Sequence, residues 1–157
     1  MHNKPTIHLA TDHAGYDLKN EVATWLEDQG YIVIDHGAHV SDPEDDFPEY
    51  IKLAAEAISK EPTMRAIIFG GSGQGEAMVA NRFPHVRATV FYGGDEELIK
   101  LSRQHNDANI LSVGARFVSI DTLTRILTTW LCEPFSNDPK YERRNQKIEH
   151  ITKQLTP

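Results

Sequence analysis

The segment Gly70–Glu76, with the sequence GGSGQGE, has the residue types that most clearly allow chemistry. Four of its residues are glycine, and glycines between a strand and a helix let the backbone approach a ligand closely. The N–H groups at the start of the following helix then point at an anion or an oxyanion. The segment lacks the Lys-Ser/Thr of a Walker loop and the spacing of the dinucleotide fingerprint. An ordinary strand–helix turn is an equally valid interpretation.

Glu76 lies in the first turn of the helix predicted after this loop. It is either a carboxylate stabilised by the helix dipole or a general base that faces a pocket. Asp12-His13 follows the first predicted strand, and this pair is either an acid–base pair or phosphate site, or a helix cap. His105-Asn106-Asp107 precedes the last predicted strand, where a polar turn is the simplest interpretation. The residue types alone leave these alternatives open.

Arg143 and Lys147 are four residues apart on a predicted helix, so they share a face that either binds phosphate or is simply solvated. A second group of residues resembles a metal-ligand set but has no regular ligand spacing, so we predict no metal site there. That group consists of His36, His39, Asp42, Glu44, Asp45 and Asp46. Cys132 is the single cysteine, so no internal disulfide can form, and we expect it to be a small buried side chain.

The elements that must position these residues alternate between strand and helix. Five short apolar runs predict buried strands: Ile7–Ala10, Tyr31–Ile34, Ala66–Phe69, Ala88–Phe91 and Ile110–Val113. Amphipathic segments predict helices over Tyr16–Gln29, Tyr50–Ser59, from the glycine loop to Asn81, Glu96–Gln104, Ile120–Leu131 and about 139–155. This alternation predicts a three-layer α/β/α sandwich with a five-stranded parallel, Rossmann-like sheet, in one domain over residues 1–157. The site is then expected beyond the carboxyl ends of the strands.

Composition excludes several classes of function. The 16 Lys and Arg against 23 Asp and Glu give a net charge of −7, which argues against a nucleic-acid or anionic-membrane surface. The apolar runs are too short for a signal peptide or a membrane span. We therefore expect a cytoplasmic protein of 157 residues.

Six motifs occur in an order that resembles the type B ribose-5-phosphate isomerase family, which includes the galactose-6-phosphate isomerase subunits. The motifs are DHAG at 12–15, DFPEY at 46–50, GGSGQGE at 70–76, AN at 80–81, HNDAN at 105–109 and GAR at 114–116. The resemblance implies a cofactor-free aldose–ketose isomerase of the pentose phosphate pathway, acting through a cis-enediolate. It also implies a homodimer or a dimer of dimers, with the site between subunits and the helix at about 139–155 packed on the partner.

The resemblance further implies a role for each matching residue. His105 would open the sugar ring, Asp12 would assist at the ring oxygen or hydroxyls, and Ser72 with the loop N–H groups would hold the enediolate. The residues implied to contact substrate are Gly71, Gly73 and Gly75 in the loop, His13, Arg116, Arg143 and Lys147 around the phosphate, and Tyr50 and Asn106 around the sugar.

Two departures from the family pattern bear on mechanism and substrate. Many members use a cysteine just before the glycine loop as the base, where this chain has Gly70. A second branch has GGSGxGE and uses the glutamate, so the resemblance implies Glu76 as the C2/C1 proton shuttle. Lys147 replaces a common arginine and lacks its bidentate fork. Other substrates, such as erythrulose 4-phosphate or galactose 6-phosphate, and a non-catalytic binding subunit therefore stay open as alternatives.

Overall fold

A computed structural model describes residues 4–155. The strands are β1 (Thr6–Thr11), β2 (Ile32–Asp35), β3 (Arg65–Gly70), β4 (Ala88–Phe91) and β5 (Ile110–Gly114). The helices are α1 (Tyr16–Asp28), α2 (Phe47–Lys60), α3 (Gln74–Ala80), α4 (Glu97–Gln104), α5 (Ile120–Cys132) and α6 (Pro139–Leu155). A short 3-10 helix (His13–Gly15) precedes α1. The predicted order of strands and helices is confirmed.

All strand pairs are parallel, and the sheet order is β2-β1-β3-β5-β4. The chain leaves β1 toward one sheet edge for β2 and returns to the other side of β1 for β3. The order therefore reverses between β1 and β3, which is where open α/β sheets bind ligands at the carboxyl edge. The register Thr11↔Phe69 brings the ends of these two strands side by side.

Successive strand residues pack against opposite helical layers, as a pleated strand requires. Ile67 and Phe69 belong to the core formed with α1, α4 and α5, whereas Ala66 and Ile68 belong to the core formed with α2 and α3. The three-layer α/β/α prediction is therefore confirmed. Among the described residues no helix combines the length and the apolar character needed to cross a bilayer.

Three local predictions were wrong. The second strand begins at Ile32 rather than Tyr31, because the Tyr31 N–H still donates to the Leu26 carbonyl at the end of α1, 3.0 Å away. Two-sided burial fails for β2, where Ile32 and Ile34 are exposed because the strand lies at the sheet edge. Cys132 is exposed rather than buried, because it is the last residue of α5 and lies beyond the face that covers the sheet.

A buried ion pair fixes the end of β2. The Lys19 side chain is fully buried, and its ammonium pairs with Asp35. Asp35 Oδ1 also accepts the Gly37 N–H at 2.9 Å, and the Gly37 carbonyl accepts the Thr11 N–H at 2.7 Å. The pair therefore anchors the chain beside the end of β1, close to the expected site.

Helix α6 has no buried residue, and ion pairs contribute to its attachment. Glu149 contacts Arg87 at 3.4 Å and His85 at 3.2 Å, and Arg87 also pairs with Asp107 at 3.1 Å. These partners lie just before β4 and β5. Helix α6 is therefore attached at the amino edge of the sheet.

Candidate active site

Three of the predicted site elements meet at the carboxyl edge of the sheet. Asp12 directly follows β1, Gly70 ends β3, and Arg116 lies two residues after β5. Gly70 and Gly114 are paired in register, and the Arg116 N–H donates to the Gly71 carbonyl at 3.2 Å. The parallel register therefore brings the glycine loop between Asp12 and Arg116.

The Glu76 carboxylate lies against Gly70. A Cβ atom at Gly70 would overlap both carboxylate oxygens of Glu76, so the side-chain space of position 70 is occupied by the glutamate. Glu76 is 4% exposed, and burial is the main cause that raises its pKa above the ordinary value. The negative charge of Asp12 raises this pKa further, while the Glu76 N–H opposes the shift. A buried carboxyl group of raised pKa is a stronger proton acceptor than an exposed one.

The glycine loop lacks side chains where neighbouring groups come close. The Arg116 guanidinium would be 3.2 Å from a Cβ at Gly71, and Phe47 would be 2.9 Å from one at Gly75. Gly73 has φ +75° and precedes α3, and its carbonyl accepts the Ser112 hydroxyl at 2.5 Å. Ser72 lies at the turn, where its hydroxyl accepts the Gln74 N–H at 3.4 Å. The Arg116 guanidinium therefore lies against the start of this loop, and the first N–H group of α3 is held by Ser72.

Asp12 and His13 follow β1, and His13 is joined to the acidic loop by Asp45. Asp12 caps the short 3-10 helix through an Oδ1 bond to the Ala14 N–H at 3.0 Å, so the capping interpretation of Asp12 is confirmed. Asp45 Oδ1 lies 2.6 Å from His13 Nδ1. This hydrogen bond is the main cause of a raised His13 pKa, which favours the imidazolium.

The predicted sugar-pocket residue Tyr50 packs beside this group. Its ring would lie 3.1 Å from a Cβ at Gly37. Burial is the main cause of a raised Tyr50 pKa, and the negative charge of Asp45 adds to it. Tyr50 therefore stays a neutral phenol that offers a donor and an acceptor.

His105 and Asn106 lie elsewhere. They follow α4 and precede β5, so they are at the amino edge of the sheet. The His105 ring stacks on Tyr141 of α6, with centroids 3.9 Å apart and planes at 19°. The neighbouring Asp107 is paired with Arg103 at 2.8 Å as well as with Arg87. This network fixes the loop that carries His105.

The predicted site is therefore divided between two ends of one chain. Strand β5 has five residues, which span about 16 Å between the two edges. Arg143 and Lys147 belong to the amino-edge group through α6, where both are exposed and have no ion pair among the described residues. Within one chain, neither His105 nor the α6 cations meet Glu76.

Asp45 and Tyr141 were missed from the sequence. Asp45 is one of several acids in a polar loop, and nothing in its spacing shows which of them turns inward. Tyr141 has no signal of its own, since its partner His105 is distant in the chain. The prediction of no metal stays a prediction, although ligand atoms of Asp12, His13 and Asp45 lie within 4.8 Å of one another in the described part of the chain. The His13 Nδ1 atom is already hydrogen-bonded to Asp45.

Comparison with known proteins places this geometry in a family. The Ribose/Galactose Isomerase family model matches residues 7–148. Ribose-5-phosphate isomerase B of Mycolicibacterium paratuberculosis is 33% identical over 138 residues, which cover 88% of this chain and 86% of the relative. The chain therefore belongs to the ribose/galactose isomerase family, and it is an aldose–ketose isomerase.

Solved structures agree with the fold. The structure of ribose-5-phosphate isomerase B from Clostridium thermocellum has a TM-score of 0.90 and 37% identity, covering 96% of this chain and 99% of that one. Ribose-5-phosphate isomerase B from Mycoplasma genitalium, solved with bound ribulose-5-phosphate, has a TM-score of 0.91 and 30% identity, covering 98% and 100%. Both share the five-stranded α/β architecture described above.

Proposed function

We propose that this enzyme interconverts ribose 5-phosphate and ribulose 5-phosphate through a cis-enediolate, with Glu76 as the base. The observation that carries the proposal is the exclusion between Gly70 and Glu76. The chain has no cysteine at 70, and a buried carboxylate fills that space instead. The Glu76 carboxylate is therefore a proton acceptor in the place where many family members have the cysteine thiol that acts as the base.

The chemistry follows from the residues at the carboxyl edge. Glu76 takes the proton from C2 of the open-chain aldose and returns it to C1, while the proton of the C2 hydroxyl passes to the C1 oxygen. The C1 carbonyl becomes a hydroxyl and the C2 hydroxyl becomes a carbonyl, so atoms and electrons balance over the cycle. The developing oxyanion is stabilised by Ser72 and the loop N–H groups, which are held in place before the reaction. His13 and Arg116 bind the phosphate, whose binding energy positions the reacting carbons. Neither a metal nor an organic cofactor is assigned a step.

Ring opening requires groups that one chain does not bring to this edge. We infer that a second copy supplies His105, Asn106, Arg143 and Lys147, so the functional unit is a homodimer or a dimer of dimers. Two uncovered apolar surfaces support this assembly. One is the groove of about 560 Å³ between α3 and β4, lined by Met78, Val90 and Tyr92 among others. The other is the α6 face with Ile148, Ile151 and Leu155 exposed.

A cytoplasmic setting is part of the proposal, since the exposed thiol of Cys132 suits a reducing compartment. We also assign residues 1–157 to one domain, in which α6 packs on the partner subunit.

Proton NMR of the purified protein with ribose 5-phosphate and EDTA in deuterium oxide tests the function. We expect ribulose 5-phosphate with solvent deuterium on the transferred carbon. Absence of conversion in both directions, with conversion of a tetrose or hexose phosphate under the same conditions, would assign a different substrate to the same chemistry. Absence of conversion of all of them would make the chain a binding subunit and overturn the proposal.

A further inference from the structure

Asp45 is the acid of the 36–46 loop that turns into the site. Its side chain is 5% exposed, although its neighbours Glu44 and Asp46 are exposed. Oδ1 lies 2.6 Å from His13 Nδ1 and also accepts the His13 backbone N–H at 3.2 Å. The carboxylate thus holds both the ring and the backbone of His13. The other ring nitrogen, Nε2, has no hydrogen-bond partner among the described residues and is left for a ligand.

The charges around His13 show why its protonation matters. Asp12 and Asp45 are two carboxylates, and Arg116 is the one arginine whose charge acts on the imidazole. With neutral His13 these side chains, which all belong to one chain, sum to −1. In the proposed dimer, Arg143 and Lys147 of the second copy add two positive charges to this sum. Protonated His13 brings the sum for the one chain to zero and adds a donor at Nε2. Asp45 Oδ2 is buried without a hydrogen-bond partner among the described residues. The Tyr50 phenol also faces the Asp45 carboxylate but is neutral, so His13 is the hydrogen-bonded group that can compensate the Asp45 charge.

We propose that Asp45 is a positioning residue that keeps the His13 imidazole protonated and directs Nε2 toward the phosphate of the substrate. Asp45 itself does not touch the substrate. The inference rests on the proposed function only in taking His13 as a phosphate contact. The direction of the His13 pKa agrees with it: the bond to Asp45 and the charges of Asp12 and Asp45 raise this pKa, while partial burial and Arg116 lower it.

The variant Asp45→Asn keeps the shape of the side chain and removes its charge. Glu44→Gln is the matched control, since it removes the same charge one residue away from an exposed side chain. The first readout is the His13 imidazole pKa, measured by NMR in the full-length protein. The second is the dissociation constant of inorganic phosphate as a function of pH. Each pKa unit lost by His13 reduces its protonated fraction about tenfold at a pH above that pKa.

We expect the His13 pKa to fall in Asp45→Asn and to stay unchanged in Glu44→Gln. Phosphate binding at pH 7.5 weakens about five- to tenfold in Asp45→Asn only, and the difference from wild type shrinks as the pH falls and His13 becomes protonated in both proteins. In turnover assays the effect falls on KM rather than kcat. An unchanged His13 pKa in folded Asp45→Asn overturns the inference, as does phosphate weakening that is equal at all pH values.

The wild-type titration keeps the inference testable even if Asp45→Asn does not fold. A His13 pKa at or below 6.5 in the wild-type protein contradicts it, because the raising effect of Asp45 would then not outweigh the lowering effects of burial and Arg116. Failure of the proposed function is a separate result. If the protein converts no sugar phosphate but phosphate binding follows His13 protonation, the inference holds and only the reaction is wrong.

Discussion

The carboxylate of Glu76 occupies the space into which a side chain at Gly70 would project. The two positions therefore exclude one another in this fold, and glycine at 70 is required by the glutamate at 76. Replacement of Gly70 by Ala forces Glu76 to move, with an expected cost of about 1–3 kcal/mol in stability and a loss of turnover. The double variant Gly70→Ala/Glu76→Ala removes the overlap. In a double-mutant cycle of unfolding free energies, the double variant should lose less stability than the sum of the losses in the two single variants. Additive losses contradict the exclusion.

Replacement of Glu76 by Gln is expected to separate activity from stability. Loss of the base lowers kcat by about 10²–10⁴-fold, while substrate affinity is largely kept. Glu56→Gln on the exposed face of α2 is the control and leaves kcat unchanged. Near-normal turnover of Glu76→Gln contradicts the assignment of the base.

The same substitution changes the pH dependence of stability. The pKa of Glu76 is raised on folding, so the folded state binds more protons than the unfolded state between the ordinary carboxyl value and the raised one. Its contribution to stability is greatest below the unfolded pKa and is lost as pH rises through the folded pKa. Glu76→Gln should therefore raise Tm at pH 7–8, by about 2–4 °C for about 1 kcal/mol, and much less near pH 4. Calorimetry at the two pH values checks this, and an equal shift at both contradicts it.

The contact between His8 and His36 predicts that the stability of the protein falls at acidic pH. His8 Nδ1 lies 2.8 Å from His36 Nε2, and burial lowers the pKa of both rings. The unfolded state then binds more protons below its value of 6.5, so this contribution to stability is lost as pH falls from 6.5 through the folded pKa. His36→Asn should flatten the fall of Tm between pH 7 and 5. His150→Asn, which changes an exposed residue of α6, should leave that slope as in wild type.

The division of the site between two ends of the chain is tested by complementation. Coexpressed Glu76→Gln and His105→Asn subunits form mixed dimers in which one site carries both changes and the other carries neither. A random 1:1 mixture should recover about a quarter of wild-type activity. Glu76→Gln with Asp12→Asn is the control, because both changes lie in one half and no intact site arises. Equal activities of the two mixtures contradict a shared site.

The stack of His105 on Tyr141 predicts a role for an aromatic ring that no motif marks. Tyr141→Leu should lower kcat about two- to tenfold, in line with the energy of an aromatic pair. Tyr141→Phe keeps the ring and should behave as wild type. A similar loss in both variants would assign the effect to the Tyr141 hydroxyl instead.

Much of the fold follows from local sequence signals. Apolar runs of four residues predict the five strands and amphipathic segments predict the six α-helices, whereas the short 3-10 helix was not predicted. Gly30, with φ +84°, follows the end of α1. For Gly70 and Glu76, the sequence could show only that a glycine replaces the usual cysteine at 70 and that a glutamate is present at 76. The geometry of their contact depends on how α3 folds back on β3, which no local pattern encodes.

The partners that need long-range packing were beyond the sequence. Asp45 reaches His13 only because the loop after β2 crosses the end of β1. The neighbouring residues are also acidic, so the sequence does not distinguish Asp45 from them. The burial of Cys132 was mispredicted because the apolar pattern of α5 does not show where the sheet stops. The contact of Asp45 and the exposure of Cys132 both depend on how distant segments pack together, which residue type alone does not show.

The ion pair between Lys19 and Asp35 gives the folded chain an internal reporter of motion. The Lys19 amine is fully buried, so an amine-acylating reagent can reach it only when α1 separates from the end of β2. Its rate of labelling, compared with that of an exposed lysine such as Lys60, therefore measures how often this part of the protein opens. Ligands that tighten the nearby carboxyl edge should slow the labelling of Lys19 and leave that of Lys60 unchanged.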